Sequence, residues 1–532
     1  MSNITKKTEL SKVSILVSIS IVYLIISYYI FTLYGNINFI ICILAFSFAF
    51  VLFIFSIFDL EVSLLIFILL TPLVESSKII LKTQDFHFNY FLFLGFSMGA
   101  VINFIKNKNN LEFSYRFYKP VFMAIVISFI SFLSVILKNK ILPYFEYGIS
   151  KFPVNVLGFT NFRSIYFSES YFLLFSTGFL LFFIITRLKL SDKFFMYFPY
   201  AVAAGFIITF IIGFYQAKVN INFGNYPNYA AASRINSTLN DPNTFSNYLC
   251  LVFPLFIGFG YYFYSYKKYF SILYFVLGVL VLVILPYTGS RAGFIGIMLV
   301  TLFYMFYLRN VLTLKIIRKT NKSKLLINCI SYLILLIILF VVVFGAFIAV
   351  VKIGISEESP SGFKRIARNI DYFVRGYNRI TIYNNRDKLW KQAINMFLDR
   401  PITGVGIGLY LFELPNYNLK FYGNPRIVFD NPLNLYLEIL SEMGIFQLAI
   451  YIWFLVEIIL FFKNTYIKLV NNKFKFLILN IFLSFSVMLI IYIFSGVTSS
   501  FAVRYIFFIL VGILVNFRIN FNNNNLSIGN LR

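Results

Sequence analysis

Apolar runs close to twenty residues long recur from one end of this chain to the other. At 1.5 Å per residue, such a run crosses the ~30 Å hydrocarbon core of a bilayer as a helix. Lipid offers no partner for backbone N–H and C=O groups, so each run must pair its own and is expected to be helical. Ten-residue segments of alternating polarity, the mark of a membrane barrel, are absent. The hydropathy predicts spans at about 13–34, 37–58, 60–75, 88–105, 120–137, 167–186, 194–217, 244–264, 269–288, 292–309, 327–351, 434–462, 475–494 and 502–517. The third is short and begins with charge (Asp59, Glu61), which makes it a candidate re-entrant segment. The first is one of many, and so is read as a span rather than a cleavable signal. The expected fold class is an all-α polytopic membrane protein with about 12–14 transmembrane helices and one large loop containing short helices. The expected division is a membrane bundle over 1–351, the loop over 352–432, further membrane spans over 433–518 and a cytoplasmic tail over 519–532.

The formal net charge of +26 would suggest nucleic acid in a soluble protein. Here 60% of the residues are hydrophobic, and most of the charge falls in short loops between spans. There it orients the chain and meets anionic lipid, so membrane lipids and not nucleic acid are the expected partner. With the N-terminus inside, the inside loops hold Lys6, Lys7 and Lys12; Lys106, Lys108, Arg116 and Lys119; Arg187, Lys189 and Lys193; and Lys267 and Lys268. The alternation puts both termini in the cytoplasm and the 352–432 loop outside. That loop carries twelve Lys/Arg against seven Asp/Glu, which the inside rule does not explain. Within it, "RDKLWKQAINMFLDRP" has helical spacing, with Leu389, Ala393, Met396 and Phe397 on one face and Pro401 as the stop. "GVGIG" follows and reads as a flexible turn.

Cys42, Cys250 and Cys329 lie in apolar runs, far apart, and read as small packing residues. One histidine, His87, at a span edge, excludes a His-rich metal site. No carboxylate cluster suggests a metal, and "GVGIG" lacks the GK[ST] ending of a phosphate loop. No metal or other cofactor is therefore expected.

Three arginines stand out. Arg504, in "SSFAVRYIFFIL", reads first as an anchor that reaches to the membrane surface. Arg234 ("AAASRINSTLNDPNTFSNYL") and Arg291 ("PYTGSRAGFIGI") sit instead among small and hydroxyl residues on the same outer side. A guanidinium binds phosphate through two parallel hydrogen bonds and keeps its proton, so the pair suggests an outward-facing diphosphate site. In "NDPN", Asp241 and Pro242 read as a helix start, which gives Asp241 a capping role.

Four segments in order, "RINSTLNDPNTFSNYLCLVFPL", "TGSRAGFIGI", "RDKLWKQAINMFLDRPITGVGIGLY" and "NLYLEILSEMGI", resemble the bacterial O-antigen ligase and O-antigen polymerase superfamily. The resemblance implies a multi-pass protein of the bacterial inner membrane with its active face in the periplasm. It implies a glycosyltransferase that needs neither metal nor nucleotide. The donor would be a glycan on undecaprenyl diphosphate, and the acceptor a sugar hydroxyl on lipid A-core or on another repeat unit. Arg234 and Arg291 match the arginines that engage the donor diphosphate. In the last motif the family's histidine position holds Leu433, followed by Asn434 and Tyr436, and Gln447 stands where a glycine is common. Leucine cannot take a proton. The nearest candidates for that work are Asp430, Glu438 and Glu442, with Asn434 and Arg504 as supporting residues. Asp430 and Asn431 are also candidates to cap a helix starting near Pro432. Ligase and polymerase remain open, as do a transporter or flippase for lipid-linked sugars and a non-catalytic glycan binder.

Overall fold

A computed structural model describes residues 39–75, 88–107, 115–141, 161–188, 190–264, 267–320, 386–423, 430–469, 472–495 and 500–523. The expected spans at 13–34 and 327–351, His87, Cys329 and the loop from 352 to 385 lie outside the described residues. The helices run α1 Phe39–Phe58, α2 Leu60–Leu70, α3 Phe88–Asn107, α4 Tyr115–Ile141, α5 Asn161–Arg187, α6 Asp192–Lys218, α7 Pro227–Ala231, α8 Pro242–Phe263, α9 Lys268–Thr288 and α10 Arg291–Thr320. They continue with α11 Arg386–Asp399, α12 Tyr410–Tyr422, α13 Leu435–Lys468, α14 Asn472–Phe494 and α15 Phe501–Asn523. Each expected span within the described residues is thus a helix, and those residues contain no strand. Among the described residues, eight helices have the length and apolar composition to cross a membrane; α1, α2, α10 and α15 contain shorter apolar stretches.

The bundle closes through small residues, because lipid gives apolar side chains little reason to leave it and close backbone approach must supply the attraction. Gly95 and Gly99, four apart on α3, lie against the backbone of α1 at Ala49 and Phe53; a methyl group at Gly95 would collide with the Ala49 carbonyl. Gly258 of α8 meets Asn480 of α14, and Ser484 donates to the Leu251 carbonyl at 2.7 Å between the same helices. Helix α8 is buried along nearly its whole length, while α9 keeps an exposed apolar stripe (Ile272, Val276, Val279, Val283) suited to lipid.

Helix α2 has eleven residues. That is about 16 Å at 1.5 Å per residue, roughly half the hydrocarbon thickness. Its shortness leaves room at one end of the bundle for a buried loop, 232–241. Asn236, Ser237, Thr238 and Asn240 are all buried there. Irregular backbone is tolerated at such depth only when its polar groups are paired within the protein. Gln216 of α6 donates to Asn236 Oδ1 and the Ser237 carbonyl and accepts from Ser237 N, Thr238 donates to the Pro72 carbonyl, and Asn240 donates to Glu75. This sets one end of the bundle apart: α6 and α9 finish there, and α8, α10, α13 and α15 begin there.

Candidate functional site

Arg234 leaves the loop with fixed aim. Its Nε donates to the Thr288 carbonyl at 2.8 Å and its Nη2 to Asn243 Oδ1 at 2.8 Å, and its guanidinium lies 5.8 Å from the centre of the Tyr229 ring. The Ile235 N–H reaches the Tyr287 carbonyl at 3.1 Å, so the "SRIN" and "YTGSR" segments are joined by backbone as well. Gly289 ends α9 in the left-handed region (φ 63°), and Arg291 opens α10 two residues later. Asp241 caps α8: its Oδ1 accepts from Asn243 N and Thr244 N, and its Oδ2 accepts from the Thr244 hydroxyl.

A third arginine joins them. Arg386 opens α11, and its Nε is buried without a hydrogen bond among the described residues. Burial lowers its proton affinity, Arg291 lowers it further, and Asp430 opposes the shift. Arg234 is likewise lowered by burial, with Asp241 and Tyr229 opposing and Arg291 adding to the fall. Arg291 therefore acts on both other guanidinium groups. The Tyr229 phenol is pushed up to about 12, by burial first and then by Asp241. Three like charges thus share one end of the bundle with two aspartates. Arg291 and Arg386 also stand at helix N-termini, the positive end of the helix dipole, where a cation is unfavourable and an anion favourable. Sequence reading missed Arg386, although its place as the first residue of an amphipathic segment was a usable signal.

The expected cap of the last motif is corrected. Helix α13 starts at Leu435, and Asn434 caps it, accepting from Tyr436 N at 3.0 Å and Leu437 N at 3.1 Å. Asp430 and Asn431 lie upstream of the cap because Leu433 turns the chain through the left-handed region (φ 52°). The only non-glycine residues with positive φ among the described residues are Ser233, Ser237 and Leu433, all in the two loops of this site. Such backbone costs roughly 1–3 kcal/mol per residue and persists only where the surroundings enforce it. Here Trp390 of α11 donates to the Pro432 carbonyl at 2.9 Å, and Tyr171 of α5 to Asn431 Oδ1 at 3.5 Å.

The other two carboxylates are placed differently. Glu442 is buried and accepts from Gly408 N at 2.9 Å and Tyr410 N at 3.2 Å. The "GVGIG" segment is held rather than loose: Val405 N and Gly406 N donate to the Ser441 and Glu442 carbonyls, and Ile445 N donates to the Pro401 carbonyl, each at 2.9 Å. Gly444 interrupts α13 (φ 79°), and a methyl group there would collide with the Ile402 carbonyl. Glu438 is buried one turn into α13, with Arg504 and Tyr410 among the groups whose charge it affects. Arg504 is not a surface-reaching anchor. It is 3% exposed, with its guanidinium 4.6 Å from the centre of the Phe175 ring, and Nε and Nη2 have no hydrogen bond among the described residues.

The fold and these contacts define a polytopic all-α membrane protein with a cationic cluster where its helices begin. Residues 276–452 match the family model described as O-antigen ligase, a match that supports the O-antigen ligase/polymerase superfamily, and that family is glycosyltransferase-like. The matched stretch includes Arg291, Arg386, Asp430, Asn434, Glu438 and Glu442; Arg234 and Arg504 lie outside it. No curated protein matches the chain.

Proposed function

We propose that the protein moves a glycan from undecaprenyl diphosphate to a sugar hydroxyl at the periplasmic face of the bacterial inner membrane, with both termini in the cytoplasm. The observation that carries this reading is that hydrogen bonds to the Thr288 and Tyr287 carbonyls fasten the Arg234 loop to the turn before Arg291, with Arg386 near enough to Arg291 to feel its charge. Mutually repelling, partly desolvated cations are stabilised by a dianionic ligand, and two linked phosphates offer oxygens to more than one fork. As the sugar C1–O bond breaks, negative charge grows on the departing diphosphate, and preformed cations stabilise it there. The leaving group supplies the driving force, so the reading assigns no metal or nucleotide. Asn434 and Glu442 serve as positioning residues, through the cap of α13 and the 404–410 loop.

The periplasmic placement draws support from charge. Lys106, Lys119, Lys193, Lys267, Lys468 and Lys475 flank the opposite helix ends, as expected of a cytoplasmic side. The acceptor is lipid A-core for a ligase and another lipid-linked repeat for a polymerase. Deleting the gene separates the two. Core lacking polymer, with full-length polymer on the carrier, identifies a ligase; core capped by one repeat identifies a polymerase.

A further inference from the structure

Two carboxylates share the arginine cluster, and their hydrogen bonds separate their duties. Asp241 is occupied: one oxygen takes two backbone N–H groups at the start of α8 and the other takes the Thr244 hydroxyl. Asp430 is solvent-exposed, and its Oδ1 accepts only the N–H of the next residue, Asn431, at 2.8 Å. Its Oδ2 has no hydrogen bond among the described residues. It is not the helix cap, a duty that falls to Asn434. Yet it is held in place, because Trp390 and Tyr171 fasten the two residues that follow it. Leu433, on the same turn, has no atom that can take a proton.

We propose that Asp430 is the general base that receives the proton of the acceptor sugar hydroxyl. The inference rests on the reading of the site as a glycan-transfer centre. In the step, Asp430 Oδ2 takes the hydroxyl proton as that oxygen forms a bond to C1 of the donor sugar. The C1–O bond to the diphosphate breaks, and its electron pair leaves on the phosphate oxygen beside the arginines. The protonated carboxyl then releases its proton to water. The groups whose charge bears on Asp430 are Arg386 of α11 and Asp241 before α8; Asp430 in turn raises Tyr229 of α7 and Tyr410 of α12. Although Asp430 reaches solvent, the protein packed around its carboxyl removes part of its hydration and, with Asp241, raises it above its ordinary value, while the Asn431 amide and Arg386 hold it back. A raised carboxylate is a better proton acceptor.

The test uses the full chain. Binding of undecaprenyl diphosphate is measured on purified protein, and transfer is measured in membranes that hold native donor and acceptor. The expected result is that Asp430→Asn lowers transfer by about 100-fold or more, the scale of general base catalysis. Undecaprenyl diphosphate binding stays unchanged or tightens, Asp430→Glu recovers part of the rate, and Leu433→Ala transfers better than Asp430→Asn. Near-normal transfer by Asp430→Asn, with Arg291→Ala inactive, overturns the base and leaves the transfer reading standing. Parallel loss of diphosphate binding and transfer in Asp430→Asn also overturns it, since Asp430 would then be a structural member. No transfer by the unsubstituted protein contradicts the underlying reading itself.

Discussion

Arg234 donates its Nε–H to the carbonyl of Thr288 at 2.8 Å, which joins the loop before α8 to the end of α9. With the second bond to Asn243, this fixes the plane of the guanidinium. A lysine has the charge but not the fork. Arg234→Lys is therefore expected to weaken undecaprenyl diphosphate binding by about tenfold or more, the loss of one charge-assisted hydrogen bond. Titration of the purified variant checks this, and binding equal to the unsubstituted protein would show that orientation does not matter.

Glu442 has a different kind of job. Removing its carboxylate strands the buried amides of Gly408 and Tyr410, at about 1–3 kcal/mol for each group left unpaired. Glu442→Ala is expected to lower thermal stability in detergent clearly, and Glu442→Gln, which keeps one acceptor, by less. If Glu442→Ala melts normally but is inactive, Glu442 acts on substrate instead.

Backbone contact makes a sharper contrast between two glycines. Gly444→Ala must push into the Ile402 carbonyl and adopt positive φ, and is expected to cost more than about 4 kcal/mol. Gly423 also has positive φ, but nothing lies within 4 Å of a methyl group there. Gly423→Ala should cost only the left-handed conformation, about 1–2 kcal/mol. Comparable melting points for the two variants would refute the close packing.

These two motifs show what the sequence could and could not reveal. Apolar run length marked the described spans because lipid enforces helices, and Asp241–Pro242 marked the start of α8 because capping is local chemistry. Arg234 and Arg291 stood out because arginine among glycine and serine is unusual at a span edge. What was hidden depends on distant pairing. Nothing local in "GVGIG" says that its amides meet Glu442. Nothing near Arg386 says that it comes beside Arg291. The positive φ of Leu433, beside which Asn434 and not Asp430 caps the helix, accompanies a hydrogen bond from Trp390, distant in sequence, to the Pro432 carbonyl.

Arg504 and Glu438 are both buried in the bundle, where the charge of Glu438 bears on Arg504. Taking one partner from a buried charged pair costs about 3–5 kcal/mol, while replacing both can cost little. Arg504→Met and Glu438→Gln are each expected to lower stability strongly, and the double variant to recover much of the loss. Additive losses in this double-mutant cycle would show that the residues do not interact.

The Asp430 carboxyl lies above its ordinary value, so its basic form is lost as pH falls through that raised value. Transfer should decline on the acid side, and the Asp430→Asn remnant should lack that limb. A shared acid limb would assign it to another group.

The central claim is that the arginine cluster holds the diphosphate of a glycan donor. Its most direct test is glycan transfer by the purified protein and by Arg291→Ala, using undecaprenyl-diphosphate glycan with chelator present and nucleotide absent. The account predicts product from the unsubstituted protein and a loss of about 100-fold or more in the variant, the scale for removing one transition-state donor. Equal product from both proteins would contradict it.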